Sequence, residues 1–253
     1  MLEYPAPPSL EKIFQCEFDF IESGFLTGEE NMRLDTERAS DVTNGKSKAM
    51  FRLYGWKPWA VSLGYNQKID DIEQLACEKN GFDIVRRPTG GRAVLHANEL
   101  TYCVVANLPK GLNMHEAYHE IHIFLHKAME NIGISTLSFQ KSRPNLRNFY
   151  NSSTKSAACF ASSAQYEIEF EGRKVVGSAQ RLFGQTLLQH GSILLSPGHE
   201  RLADVSNLES EEQKQKLKEF ILAKSATLQD TVGRSISFNE LSSAIRTSFF
   251  DCK

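Results

Sequence analysis

The stretch that decides the fold class is Phe82-Asp-Ile-Val-Arg-Arg-Pro-Thr-Gly-Gly-Arg-Ala-Val-Leu-His-Ala-Asn-Glu-Leu-Thr-Tyr-Cys-Val-Val-Ala106. Residues 82–87 contain Phe82 and the β-branched pair Ile84-Val85, and they predict a strand that Pro88 stops. A second strand is predicted over residues 100–106. Gly90 and Gly91 lie between the two strands and predict a tight turn, in which the backbone can approach a ligand closely.

Helices and further strands are predicted on both sides of this stretch. Thr27-Gly-Glu-Glu30 has the form of a capping box and predicts a helix through about Asp41. Two short strands are predicted within residues 51–63. Apolar residues at intervals of three and four predict a helix over residues 114–132.

The C-terminal half continues the same mixture of elements. Alternation over residues 166–170 and the turn at Glu171-Gly172 predict a hairpin into a strand that begins at Lys174. Residues 189–195 predict another strand, and the capping box Ser237-Phe-Asn-Glu240 predicts a final helix. The sequence therefore predicts an α/β (mixed α+β) fold with a mixed sheet flanked by helices. Without an internal repeat or linker, we expect one domain over residues 1–253.

Composition and charge exclude several classes of protein. The chain has 253 residues, 41% of them hydrophobic and 24% charged, and a net charge of −2. A nucleic-acid-binding protein usually carries a basic excess, so we expect no nucleic-acid partner. We expect no membrane partner either, because apolar runs are short and the first residues do not resemble a signal peptide. The scattered cysteines form no CxxC pair and suggest a reducing cytoplasm: Cys16, Cys77, Cys103, Cys159 and Cys252.

The glycine turn is the first candidate for a functional site. Arg86, Arg87 and Arg92 surround Gly90 and Gly91 with positive charge. Backbone N–H groups at such a turn can bind an anion or a carbonyl group. A hairpin turn with arginines in solvent explains the same residues equally well.

Cys159 is the second candidate. Residues 131–166 contain no Asp or Glu, while Lys141, Arg143, Arg147 and Lys155 supply positive charge. Positive surroundings lower the pKa of a thiol and favour the nucleophilic thiolate. The small residues around Cys159 suit an exposed sulfur, although a buried and inert cysteine is the usual alternative.

Lys174 is the third candidate. It precedes the apolar pair Val175-Val176, where a lysine is partly removed from solvent. Gly177 and Ser178 interrupt the strand and leave room for a ligand. The alternative is an ordinary solvated lysine.

Taken together, these stretches resemble the biotin/lipoate protein ligase and lipoyltransferase superfamily. The similarity runs from about Phe18 to about Leu195. Within the superfamily, the Pro-Thr-Gly-Gly-Arg form and the Cys159-Phe160 pair look most like octanoyltransferases of Gram-positive type. Besides the glycine turn, the resemblance is carried by Asn31-Met-Arg-Leu-Asp35, Trp59-Ala-Val-Ser-Leu-Gly64, Lys174-Val-Val-Gly-Ser-Ala-Gln180 and Gln189-His-Gly-Ser-Ile-Leu-Leu195.

The resemblance implies a particular activity and set of partners. It implies that the chain moves octanoyl from octanoyl acyl carrier protein, through a thioester on Cys159, to a lysine of lipoyl domains or glycine-cleavage H protein. Lys174 would lower the pKa of the Cys159 thiol. We expect no cofactor, no metal, a monomer and no C-terminal accessory domain. Substrate-binding residues are expected to be Arg87, Gly90, Gly91, His96, Gly177, His190 and Gly191.

Other interpretations remain open at this point. An ATP-dependent lipoate-protein ligase, an octanoyl amidotransferase with H protein as donor, and a non-catalytic lipoyl-domain binding module are the alternatives. The family usually has an aspartate where this chain has Ala97, and Glu99 is a candidate replacement for that acid. A helical row of histidines suggests a metal site, but a polar helix flank explains it better: His115, His119, His122 and His126.

Overall fold

The computed structural model describes residues 9–139 and 167–251. The strands are β1 (Phe18–Leu26), β2 (Ala49–Trp56), β3 (Ala60–Leu63), β4 (Asp83–Arg86), β5 (Val94–His96), β6 (Glu99–Asn107), β7 (Ser138–Phe139), β8 (Ile168–Phe170), β9 (Arg173–Lys174), β10 (Val176–Phe183) and β11 (Thr186–Leu194). The helices are α1 (Leu10–Phe14), α2 (Gly28–Thr43), α3 (Gln74–Asn80), α4 (Met114–Glu130), α5 (Glu211–Lys224), α6 (Leu228–Val232) and α7 (Phe238–Asp251). Short 3₁₀ helices lie at Ile69–Asp71 and His199–Val205.

The strands form a large sheet and two small ones. The large sheet has the order β1-β2-β6-β11-β10, with β1 parallel to β2 and the other neighbours antiparallel. A second sheet has the order β4-β3-β5, and a third has the order β7-β8-β9. The mixed α/β fold predicted from the sequence is therefore present.

The large sheet is covered on its two faces by different helices. Alternate residues of a strand point to opposite faces, and Leu53 and Tyr54 of β2 accordingly belong to separate apolar clusters. The cluster with Leu53 includes Ile121 of α4 and Phe249 of α7. The cluster with Tyr54 includes Met32 of α2. Each buried Leu, Ile or Phe contributes about 1.5–3 kcal/mol to folding. The packing of these side chains fixes the positions of the strands relative to the helices.

Most predicted elements are present with small changes at their ends. The capping box of α2 forms as predicted, with the Thr27 side chain bound by the Glu30 N–H and Glu30 bound by the Thr27 N–H. The predicted hairpin is also formed, because Glu171 and Gly172 have φ of +51° and +74° and connect β8 to β9. Such turns match the twist of paired strands.

The start of α7 differs from the predicted capping box. Ser237 Oγ accepts a hydrogen bond from the Glu240 N–H at 3.1 Å, as expected. The Glu240 carboxylate instead binds the Arg234 guanidinium, with a shortest distance of 2.6 Å. A charged partner is a stronger donor to a carboxylate than a backbone amide.

No helix within the described ranges is both long and apolar enough to cross a membrane.

Candidate active site

The glycine turn lies between β4 and β5, and the buried Arg87 side chain donates hydrogen bonds to its backbone. Arg87 is buried, with 4% of its surface exposed. Its Nη2 atom donates to the carbonyl oxygens of Gly90 and Arg92 at 2.8 and 2.6 Å. Its Nη1 atom donates to the Ser62 carbonyl at 2.8 Å. This predicted substrate-binding residue therefore binds the backbone of the turn and of β3.

Gly91 is fitted closely against β3. A Cβ atom on Gly64 would lie 1.9 Å from the Gly91 carbonyl oxygen, so only glycine permits this contact. Gly91 itself has φ of +96°, which other residues rarely adopt. Gly90 is exposed and faces open space. The N–H groups of Gly90 and Gly91 have no acceptor among the described residues.

His190 of β11 connects the turn to the sheet. Its Nε2 atom lies 2.7 Å from Thr89 Oγ1, in the turn. Its Nδ1 atom lies 3.6 Å from Asp35 Oδ2. Burial lowers the pKa of His190, against the opposing effect of Asp35, so the neutral ring is favoured. This predicted site residue thus supports the turn through Thr89.

A buried ion pair anchors this connection. Arg52 Nη1 lies 2.7 Å from Asp35 Oδ1, and their side chains are 1% and 0% exposed. The hydroxyl of Tyr54 donates to Asp35 Oδ2 at 2.8 Å. Burial alone would raise the pKa of Asp35, but bonding from His190 and the charge of Arg52 bring it below its ordinary value. Asp35 is therefore a carboxylate at neutral pH.

His96 lies behind the turn and is bonded to an acid. His96 Nδ1 is 2.8 Å from Glu99 Oε1, and its Nε2 is 2.8 Å from Ser62 Oγ. The ring stacks on Trp56 with centroids 4.0 Å apart. Ala97 is buried, and the acidic side chain beside His96 is that of Glu99.

Lys174 is buried rather than solvated. Only 6% of its surface is exposed, and its Nζ atom lies 2.8 Å from Glu167 Oε1. Glu167 is itself 3% exposed and is the first described residue after the Cys159 segment. On the other side of that segment, Phe139 of β7 pairs with Ile168 of β8. The residue that follows the Cys159 segment, Glu167, therefore contacts Lys174, while the residue that precedes it by position in the described chain, Phe139, lies one strand further away, across β8.

Gly177 and Gly191 lie on the neighbouring strands β10 and β11. A Cβ on Gly191 would lie 2.3 Å from Ser178 Oγ and 2.8 Å from the Gly177 carbonyl oxygen. The missing side chain lets Ser178 approach the hydroxyl of Tyr102 at 2.7 Å and His122 Nε2 at 2.9 Å. Gly191 therefore makes room for a buried polar cluster, with the Gly177 carbonyl beside it.

The predicted residues fall into two groups joined by β11. Hydrogen bonds connect the glycine turn to His96 and His190, whereas the second group follows β9 and β10 from Lys174 to Gly177. His190 and Gly191, adjacent in β11, belong to one group each. Cys159 and the basic residues Lys141, Arg143, Arg147 and Lys155 lie outside the described residues.

The described cysteines are poor nucleophiles. Burial raises the pKa of Cys77 to about 11, with a smaller effect of Glu73. Burial also raises the pKa of Cys103 well above its ordinary value. The pKa of Cys16 is raised by burial and by Glu11. A thiol with a raised pKa carries little thiolate at neutral pH, so burial disfavours the nucleophilic form of these three cysteines.

The histidine row of α4 forms contacts to protein groups. His122 is fully buried in the Ser178 cluster, unlike the polar flank that we expected. His126 Nε2 lies 3.1 Å from the Leu137 carbonyl oxygen. The rings of His119 and His126 contact Phe139. Within residues 9–139 and 167–251, no three potential ligands are grouped for a metal ion.

The fold and the residues around the glycine turn define a class of protein. Residues 27–250 match the family model of the lipoyl protein ligase A/B catalytic domain, and the chain belongs to this family.

Particular relatives narrow the class. The chain is 38% identical over 232 residues to octanoyltransferase LipM of Exiguobacterium sp., covering 88% of this chain and 81% of that protein. It is 33% identical over 240 residues to octanoyltransferase LipM of Staphylococcus aureus, covering 92% and 85%. Their shared name confirms the predicted enzyme class, an acyltransferase.

Solved structures show the same fold. A bi-partite lipoate protein ligase from Thermoplasma acidophilum superposes with a TM-score of 0.67 at 18% identity, covering 93% of this chain and 83% of that one. A lipoate-protein ligase A bound with ATP gives a TM-score of 0.65 at 20% identity, covering 93% and 84%. The predicted ligase-type fold is confirmed.

Proposed function

We propose that the protein is an octanoyltransferase of lipoate assembly that works through a thioester on Cys159. The donor is octanoyl acyl carrier protein, and the acceptor is a lysine of a lipoyl domain or of glycine-cleavage H protein. The observation that carries the proposal is the buried ammonium of Lys174, ion-paired to Glu167 at the end of the Cys159 segment. The similarity to octanoyltransferases over 88% of the chain supports the choice of acyl group.

Lys174 and Glu167 have distinct tasks in this proposal. A cation near a thiol favours the thiolate, and each pKa unit of that effect corresponds to about 1.4 kcal/mol. Glu167 Oε1, 2.8 Å from Lys174 Nζ, holds the lysine side chain in a fixed, buried position.

The first step exchanges one thioester for another. The Cys159 thiolate attacks the octanoyl carbonyl, the new carbon–sulfur bond forms, and the carrier thiol leaves as a thiolate that takes up a proton. The oxyanion of the tetrahedral intermediate needs donors. The N–H groups of Gly90 and Gly91 supply them, because they have no acceptor among the described residues.

The second step forms an amide. The neutral amine of the acceptor lysine attacks the acyl-enzyme carbonyl, and Cys159 leaves as a thiolate while the amine gives up a proton. An amide is more stable than a thioester, so the transfer runs downhill without ATP. No metal or cofactor takes part in this scheme.

Partner recognition belongs to the same proposal. The acid-free stretch with Lys141, Arg143, Arg147 and Lys155 attracts acidic protein substrates. A single catalytic domain, a monomeric state and a cytoplasmic location remain predictions from the sequence.

Octanoyl transfer to an apo lipoyl domain or apo H protein, followed by mass spectrometry of the acceptor, tests the proposal. Without ATP, the protein should acylate the acceptor from octanoyl acyl carrier protein, and Cys159→Ala should not. Transfer that requires ATP and free octanoate, and that survives Cys159→Ala, would instead identify a ligase. Transfer from octanoyl-H protein alone would identify an amidotransferase. Binding without any transfer would leave the binding-module interpretation.

A further inference from the structure

Four buried polar side chains form one line of hydrogen bonds behind the glycine turn. Glu99 Oε1 lies 2.8 Å from His96 Nδ1, and His96 Nε2 lies 2.8 Å from Ser62 Oγ. Ser62 Oγ accepts from Arg87 Nη1 at 3.2 Å, and the Ser62 carbonyl accepts from the same atom at 2.8 Å. Arg87 then reaches the Gly90 carbonyl. In a low-dielectric interior, loss of one such partner is costly.

The line has a fixed direction when the His96 ring is neutral. The Glu99 carboxylate can only accept, so the proton of a neutral His96 ring is on Nδ1, facing Glu99, and Nε2 is the acceptor. The Ser62 hydroxyl therefore donates to His96 Nε2 and accepts from Arg87, which can only donate. Burial alone would raise the pKa of Glu99, but His96 and the hydroxyls of Ser192 and Thr101 bring it below its ordinary value.

The arrangement has the spacing of a nucleophilic triad but cannot act as one. Ser62, His96 and Glu99 follow the order of a serine, a histidine and an acid at hydrogen-bond distance. However, Ser62 is 0% exposed and its hydroxyl accepts from Arg87. A substrate carbonyl therefore has no access to it. Glu99 and His96 can instead fix the position of Ser62 and Arg87, and Arg87 in turn fixes the backbone of the glycine turn.

Arg87 fixes the orientation of the peptide group between Gly90 and Gly91. The Gly90 carbonyl and the Gly91 N–H belong to the same planar trans peptide group, and they point in opposite directions. Arg87 Nε and Nη2 hold the Gly90 oxygen inward at 3.2 and 2.8 Å. The Gly91 N–H is thereby turned away from Arg87, outward from the turn.

We propose that Glu99 and His96 are positioning residues that act through Ser62 and Arg87 to aim the Gly91 N–H at the acyl oxygen. The catalytic part of this inference rests on the proposed octanoyl transfer. The structural part, a mechanical link from Glu99 to the turn, does not.

Hydrogen exchange of the full chain tests the structural link without any substrate. Glu99→Gln keeps the size of the side chain but removes its charge, and Ser62→Ala removes the middle of the line. Both should speed exchange of the Tyr65 amide, which donates to the Thr89 carbonyl of the turn at 2.9 Å, by roughly tenfold, as expected when a local hydrogen-bonded segment opens more often. The control Ser206→Ala removes a buried hydroxyl that donates to Leu202 at 2.8 Å and is not in the line. It should leave exchange of the Tyr65 amide unchanged. Unchanged exchange in both test variants overturns the link.

Octanoyl-transfer kinetics test the catalytic part with a double-mutant cycle. Each single variant should lower kcat by roughly tenfold to a hundredfold through misplacement of the donor, with KM for the carrier protein unchanged. The double variant should lose no more than the worse single variant, because both changes break the same line. Multiplying losses, or a rise in KM alone, would overturn the positioning role. If the wild-type protein transfers no octanoyl, the proposed function fails, and hydrogen exchange still decides the link.

Discussion

Gly64→Ala should displace the glycine turn without changing any residue of the turn itself. Gly64 lies in the loop after β3 and contributes no side chain to the site. A Cβ there would lie 1.9 Å from the Gly91 carbonyl oxygen and 2.8 Å from its carbonyl carbon. Because heavy atoms in favourable contact are about 3.5 Å apart, the turn has to retreat by roughly 1.5 Å.

The expected loss follows from this displacement. A shift of about 1 Å in a catalytic group costs on the order of a hundredfold in rate, so we expect kcat for octanoyl transfer to fall by at least that factor. The accompanying overpacking costs about 1–3 kcal/mol of unfolding free energy. For a chain of this size, each kcal/mol lowers Tm by about 2–4 °C, so the variant stays folded at 25 °C.

Gly28→Ala serves as the matched control in the same assay. A Cβ on Gly28 would lie 2.7 Å from Val85 Cγ1, so it overpacks a contact between α2 and β4 away from the turn. It should lower Tm comparably and keep kcat. Octanoyl transfer by Gly64→Ala at the wild-type rate, or an equal loss in both variants, would refute the role assigned to the turn.

Three further changes test other parts of the account. Lys174→Met should raise the pH at which Cys159 becomes half-alkylated by iodoacetamide, and loss of the ion pair with Glu167 should cost on the order of 3–5 kcal/mol of unfolding free energy. Adding Glu167→Gln should restore the stability but not the reactivity of Cys159. An unchanged alkylation profile contradicts the role of Lys174. The free energy of unfolding should fall as pH drops below about 6.5, because burial lowers the pKa of His190 in the folded state and the unfolded chain takes up protons first. The free energy of unfolding should fall again below about pH 4, because the pKa values of Asp35 and Glu99 are lowered in the folded state and their protonation favours the unfolded chain. Urea titrations that give the same free energy of unfolding at pH 7.5, 5.5 and 3.5 would disprove this. Arg143→Glu with Arg147→Glu should raise KM for the carrier protein, and an unchanged KM removes the steering role of that stretch.

The long elements of the fold were predictable because their patterns are local. The strand at residues 100–106 is almost entirely apolar, and β6 is buried over most of its length. The α2 helix begins at a capping box that lies within four consecutive residues. In contrast, the three-residue strand β5 was not predicted. Its pairing with β3 depends on the turn that brings the two together.

Candidate site residues could be singled out where a residue type is unusual in its place. Adjacent glycines and a lysine before two valines are such places, with a turn carrying arginines in solvent and an ordinary solvated lysine as the alternatives. Glu167 was not identified, because its contact with Lys174 depends on the third sheet. Ser62 and Thr101 were missed for a similar reason, since a hydroxyl in a strand does not show which buried partner it meets. The sequence contains a signal of the buried ion pair at Arg52, because this residue is charged and lies within an otherwise apolar strand.

The central claim is that octanoyl is carried as a thioester on Cys159 without ATP. Intact-mass analysis of the protein after mixing with octanoyl acyl carrier protein tests this most directly. We predict a gain of one octanoyl group that hydroxylamine removes and that is missing in Cys159→Ala. A wild-type protein that gains no mass, while acyl transfer appears only after ATP and free octanoate are added, would contradict the account and make Cys159 a structural residue.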